Sequence, residues 1–295
     1  MHSESLFAET ADGEKLHLKR FYTDEDKPAV FLLHGSIENG KIFYSKSGKG
    51  LAPWLAKQGF DVFVGDIRGR GKSQPKISKH SKHGQWEIIT IDIPVFLDKI
   101  RKIKGNVPVS AIAHSWGGVL LLAYIARHKN HPIDKMVFFG SKRRISVFNK
   151  DRLIKIDLVW NFTGYIISLF KGYFPAVEYN IGADNESRKY FQELNHWIYC
   201  KKWIDPRDGF DYNKALKSIT TPPTLYLTGT DDRCLGHPTD VKLLMDEANN
   251  EGDQFHLLGK ANGHKKDYGH IDTLTDPGAV EDIFPLVVGW LKKIN

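Results

Sequence analysis

The chain has 295 residues, 41% hydrophobic and 12% aromatic, enough to bury a large core in one α/β domain with an insertion and too apolar for global disorder. Lys and Arg number 42 against 35 Asp and Glu, giving a net charge of +7; the densest basic groups, Lys142-Arg143-Arg144 and Lys76 to Lys82, match no nucleic-acid-binding pattern and read as solvated surface, so no nucleic-acid partner is expected. Two cysteines, Cys200 and Cys234, lack the spacing of a disulfide framework or zinc site, and the first residues carry no signal-length apolar run, which predicts a soluble, cytoplasmic protein without stable membrane insertion.

Residues 5–22 alternate around Asp12-Gly13, the mark of an antiparallel hairpin. Ala29 to Leu33 is a continuous apolar run, as in a strand covered on both faces, and ends at His34-Gly35-Ser36. A helix pattern over Gly50 to Gln58 and a strand over Phe60 to Gly65 follow, then the glycine-punctuated loop Asp66-Ile67-Arg68-Gly69-Arg70-Gly71-Lys72-Ser73. That loop lacks phosphate-loop spacing. Glu87 to Ile103 reads as a helix despite Pro94, and Lys135 to Gly140 as a strand. Strands alternating with helices predict an α/β fold with a mostly parallel sheet.

At about Ser141 the alternation stops. Residues 141–215 carry helix-like segments, no clear strand and many aromatics. The alternation resumes with strand Thr224 to Thr228, helix Val241 to Ala248, strand Gln254 to Leu258 and a last helix over Pro277 to Ile294. The expected organisation is a core of residues 1–140 and 216–295 with a helical cap at 141–215, inserted after the sixth core strand.

Between an apolar strand and an apolar helix lies Ala113-His114-Ser115-Trp116-Gly117-Gly118. A serine flanked by small residues at a sharp strand-to-helix turn has the layout of a nucleophile elbow, with Ala113 where the usual pattern has glycine. Such a serine needs a histidine base, a carboxylate to orient it and amides for the oxyanion. The loop after Thr224 to Thr228 offers Asp231 and Asp232, of which Asp232, three residues past Gly229, is preferred. The loop after the last strand offers His264 and His270; His270 precedes an apolar position nearer the terminal helix and is preferred. A His264–His270 metal pair lacks a third ligand at usable spacing, so no metal is expected. The oxyanion amides are expected from Trp116 and Ser36, with Ile37 as second choice. His34 is expected to brace its loop and His114 the elbow.

Ser115 in AHSWGG, His34-Gly35, Asp66-x-Arg68-Gly69-x-Gly71-x-Ser73, Asp232 and Gly269-His270 together resemble the α/β-hydrolase superfamily over residues 5 to 293, apart from the cap. The run HGSIENGKIFYSKSGKGLAPWLAKQGFDVFVGDIRGRGKS and the ending DYGHIDTL resemble its lipase branches, monoacylglycerol-lipase-like or acid-lipase-like. The resemblance implies the α/β-hydrolase fold and a serine hydrolase acting on carboxylic, often acyl-lipid, esters without a cofactor. Proline iminopeptidases share a Ser-Trp-Gly elbow but carry His-Gly-Gly-Pro-Gly where this chain reads His34-Gly35-Ser36-Ile37. Thioesterase, lactonase and aminopeptidase chemistry, or ligand binding without catalysis, remain open alternatives. Leu158-Val159-Trp160, Tyr165-Ile166-Ile167 and Leu169-Phe170 are expected to line an acyl pocket, to touch a lipid interface transiently, or to form the cap's own core.

Overall fold

The computed structural model describes residues 1–293. Ten strands are formed: β1 (His2–Glu9), β2 (Lys15–Tyr22), β3 (Ala29–Leu33), β4 (Asp61–Asp66), β5 (Val109–His114), β6 (Ile133–Phe139), β7 (Tyr173–Phe174), β8 (Glu186–Ser187), β9 (Thr224–Gly229) and β10 (Gln254–Leu258). Eight of them make one sheet in the order β1-β2-β4-β3-β5-β6-β9-β10. The hairpin at its edge pairs antiparallel from His2↔Tyr22 to Glu9↔Lys15, and β2 runs antiparallel to β4; all the following neighbours are parallel.

The central strands are apolar on both faces because both are covered. In β3, Phe31 and Leu33 join one buried cluster while Val30 and Leu32 join the other. The helix Trp116–Arg127 is buried at every position but its last, since it lies between the sheet and further helices. The chain leaves β3 for β4 on one side, then crosses back past β3 to β5. Ligand crevices in open parallel sheets form at such a reversal, beyond the carboxyl ends of the strands. The loops after β3, β5, β6, β9 and β10 all end there.

Some elements depart from expectation. The helix read from Glu87 begins at Gln85 and contains a π turn, Ile88–Asp92, directly before the stretch Ile93–Lys104. The wider turn accommodates Pro94, which has no amide hydrogen and would crowd the carbonyl of an ordinary preceding turn. The terminal helix is two pieces, Ala279–Asp282 and Phe284–Leu291, the second starting just before Pro285; its expected end, Ile294, lies outside the described residues. Between β6 and β9 the chain is not free of strands: β7 and β8 form a small antiparallel pair beside the helices. The basic run after β6 is not solvated surface, for Lys142 and Arg143 are buried.

Candidate active site

Ser115 joins β5 to the helix Trp116–Arg127 at φ 52° and ψ −124°. A serine adopts that conformation at a cost of about 1–3 kcal/mol, sustained only where neighbours enforce it. Here its amide donates to the Phe139 carbonyl at 2.8 Å and its carbonyl accepts from the Gly118 amide at 3.2 Å. The loop after β3 comes so near that a Cβ on Gly35 would sit 2.8 Å from that of Ser115, so glycine is required there. Ala113 is buried between Leu33 and Phe138 of the flanking strands, which accommodate its methyl.

Asp232 and His270 lie on adjoining loops, which are tied together where the Asp231 amide donates to the Tyr268 carbonyl at 3.0 Å. The His270 Nδ1–H donates to Asp232 Oδ2 at 2.6 Å, and Asp232 Oδ1 accepts from the Gly236 amide at 2.8 Å. With its proton on Nδ1, the ring presents Nε2 as an acceptor. Gly140, at φ 55°, closes the floor: a Cβ there would lie 2.9 Å from the imidazole. Asp231 is exposed and pairs with Arg233, while His264 bonds to the backbone of Gly259, so neither joins this group.

Ser115, Trp116, Ser36 and His270 open onto one cavity of ≈470 Å³. Its walls include Ile145, Ile156, Trp160, Leu194, Ile198 and Leu235. The Ile37 amide is committed elsewhere, donating to Glu186 Oε1 at 2.6 Å, whereas the Ser36 amide has no such partner among the described residues. Trp116 opens its helix, so its amide has no intrahelical acceptor. Of the apolar cap residues singled out in sequence, Trp160 alone lines this cavity, together with Ile156, which was not singled out. Leu158, Val159, Tyr165, Ile166, Leu169 and Phe170 are exposed and line no part of it.

A family profile described as "alpha/beta hydrolase fold" matches residues 28–173. An esterase from Exiguobacterium antarcticum superposes with a TM-score of 0.64 at 17% identity, covering 98% of this chain and all of that one. The chain has the α/β-hydrolase fold. Among curated sequences, the chain is 30% identical over 52% of its length to 42% of a Crotalus adamanteus protein provisionally named as a lysosomal acid lipase/cholesteryl ester hydrolase. It is 26% identical over 74% of its length to 79% of the Bacillus subtilis AB hydrolase superfamily protein YisY. Matches to the first three lipase-like relatives span less than half of those proteins' lengths.

The two histidines beside the site differ in hydrogen bonding. His34 donates from Nδ1 to the Gly35 carbonyl at 2.9 Å and accepts on Nε2 from the Ile67 amide at 3.1 Å, so it is neutral and bridges two loops. His114 faces acceptors on both nitrogens: the Glu38 carboxylate at 2.8 Å and the His270 carbonyl at 3.2 Å. Burial alone would lower its pKa, but the Glu38 charge and hydrogen bond raise it, which favours the imidazolium. Burial would raise Glu38; the charge and hydrogen bond of His114, with the charge of His270, pull it down to about 2. Glu38 also accepts from the Gly35 amide at 2.8 Å, tying the loop after β3 to the elbow.

His270 itself is held below its ordinary pKa, first by burial and also by the positive His114, whose ring centre lies 4.7 Å away; Asp232 opposes both. Removing the positive charge in His114→Gln makes His270 easier to protonate. The acid limb of a pH–rate profile is therefore expected to move upward. A limb that stays in place, measured as kcat/KM between pH 4 and 9 (about that range suffices), would show that His114 carries no charge.

Glu38, Glu186 and Lys142 were missed in sequence. Each stands in or just beyond a loop that follows a strand, as the recognised site residues do, and for Lys142 the position just after β6 was the available signal.

Proposed function

We propose that the protein is a serine hydrolase that cleaves carboxylic esters with an apolar acyl part. The observation that carries the reading is the 2.6 Å hydrogen bond from His270 to Asp232 in a cavity shared with Ser115. His270 Nε2 takes the Ser115 hydroxyl proton as Oγ attacks the ester carbonyl, and the oxyanion is received by the Ser36 and Trp116 amides. Collapse expels the alcohol, protonated by His270. Water, deprotonated by the same ring, then releases the acid and restores the serine. No cofactor enters these steps. The apolar walls and a volume within the usual range for ligand sites support an acyl group as the buried part. The lipase names of the curated relatives support a lipid-like ester.

Short-chain and long-chain 4-nitrophenyl esters, set beside a thioester, a lactone and an aminoacyl amide, test the reading. Esters are expected to be fastest, and Ser115→Ala to lower turnover by about 10⁴-fold or more. Full ester turnover by that variant ends the mechanism, while faster thioester or lactone cleavage reassigns the substrate and leaves the triad in place.

The same reading gives the cap's outer face a role at a lipid surface. Arg152–Lys171 is a 20-residue helical stretch, long and apolar enough by length and composition to cross a membrane, yet most of its apolar residues other than Ile156, Trp160 and Ile167 lie open. Phe170 is 87% exposed and Phe162 63%, between the exposed cations Lys150, Lys155 and Lys171. Such a face partitions shallowly into an anionic interface. Co-sedimentation with vesicles containing phosphatidylserine is expected, and Phe162→Asp with Phe170→Asp to abolish it; equal sedimentation of the double variant removes the lipid role.

A further inference from the structure

Two buried cations stand side by side just after β6, and they differ in one respect. Arg143 is fully buried and spends its donors on the Glu247 carboxylate and on the carbonyls of Trp197 at 3.0 Å, Cys200 at 2.7 Å and Lys201 at 3.0 Å. Lys142 is 5% exposed and lines the cavity that holds Ser115 and His270. Its ammonium has three hydrogens to donate. Among the described residues it makes no hydrogen bond and no ion pair within 4 Å.

A buried charge without a partner costs several kcal/mol, so proteins keep one only where something compensates it. The acidic groups facing Lys142 are Asp232, Cys234, Asp240 and Glu38, and none of them pairs with its ammonium within 4 Å. Asp232 holds His270 and the Gly236 amide, Glu38 holds His114 and the Gly35 amide, and Asp240 holds Ser146 through Oδ1 while its buried Oδ2 has no partner among the described residues. They steady the cation at a distance without using its donors. Burial accordingly lowers its pKa in spite of them. The cavity's other cation, Lys41, is exposed. Elsewhere the wall is mostly aliphatic or aromatic.

We infer that Lys142 is the anion-recognising residue of the cavity, and that the substrate is an ester carrying a second, ionised acid group whose oxygens accept from the Lys142 ammonium. The inference rests on the ester-hydrolase reading above and narrows its substrate class. The apolar wall takes the chain between the two functional groups, Ser115 attacks the ester carbonyl, and the far carboxylate fixes the register. A site built to hydrogen-bond a charged group discriminates strongly, because a neutral analogue leaves the donor buried and unpaired.

The test compares 4-nitrophenyl monoesters of adipic and suberic acid with 4-nitrophenyl hexanoate and octanoate, on wild type, Lys142→Met and Lys142→Arg. The quantity read is the ratio of kcat/KM for the charged ester to that for its neutral partner. Wild type is expected to favour a charged ester by about 10- to 100-fold, Lys142→Met to lose that ratio and Lys142→Arg to keep most of it. A lysine that only screens Asp232 would lower both arms together and leave the ratio in place; that result, or a wild-type ratio of one or less, overturns the inference. Should wild type turn over no ester at all, the hydrolase reading fails by itself, and Lys142 is judged by binding. Suberic acid monomethyl ester, titrated against tryptophan fluorescence from Trp116 and Trp160, is then expected to bind Ser115→Ala protein at least about tenfold more tightly than Ser115→Ala with Lys142→Met. Equal affinity overturns the inference.

Discussion

Asp232→Asn is expected to lower kcat on a short-chain ester on the order of 10⁴-fold, through the wrong histidine tautomer. Asp232 uses both oxygens, one toward the Gly236 amide and one toward His270 Nδ1. An asparagine keeps its carbonyl oxygen on the Gly236 donor, which turns its NH2 toward the imidazole. Nδ1 must then accept, the ring proton moves to Nε2, and His270 can no longer take a proton from Ser115. Neither Asp231 nor Glu38 is placed to substitute: Asp231 is exposed beside Arg233, and Glu38 is held by His114. A loss under about tenfold would mean that His270 is oriented by something other than Asp232.

Glu186→Ala is the second large effect, on stability. Arg70 and Glu186 are both fully buried, and Glu186 also accepts from the Ile37 amide at 2.6 Å. Ile37 stands at φ 52°, which a β-branched residue adopts only under constraint. Deleting Glu186 leaves a buried guanidinium without its counter-charge, costing about 3–5 kcal/mol. For a chain of this size that lowers the melting temperature by roughly 10 °C. The released Ile37 amide lets the loop relax, moving the adjacent Ser36 amide, so turnover by the folded fraction should fall as well. Glu186→Gln keeps an acceptor for Ile37 and should lose stability but less turnover. A melting temperature within about 2 °C of wild type for Glu186→Ala would contradict the account.

The parts legible in the sequence are those whose signal is local. An uninterrupted apolar run marks β3, and a serine among small residues between strand and helix marks the elbow. Asp232 and His270 stand in loops after successive late strands, each beside a near alternative: Asp231 is exposed where Asp232 is buried, and His264 is spent on the Gly259 backbone. What escaped are pairings across the chain, which leave no local pattern. Glu38 meets His114 across 76 residues and Arg70 meets Glu186 across 116. The run Lys142-Arg143-Arg144 has the composition of surface, yet β6 delivers its first two residues into the interior. The aromatic-rich stretch after β6 stayed open between pocket, lipid-facing surface and core: periodicity does not say whether an apolar helix face has a partner, and much of this one is exposed.

The central claim is that His270 activates Ser115, and active-site titration with a fluorophosphonate tests it most directly. The account predicts one covalent adduct per chain, located on the Ser115 peptide by mass spectrometry, lost in Ser115→Ala and formed far more slowly in His270→Ala. An unlabelled wild-type protein, or an adduct on another residue, would contradict it.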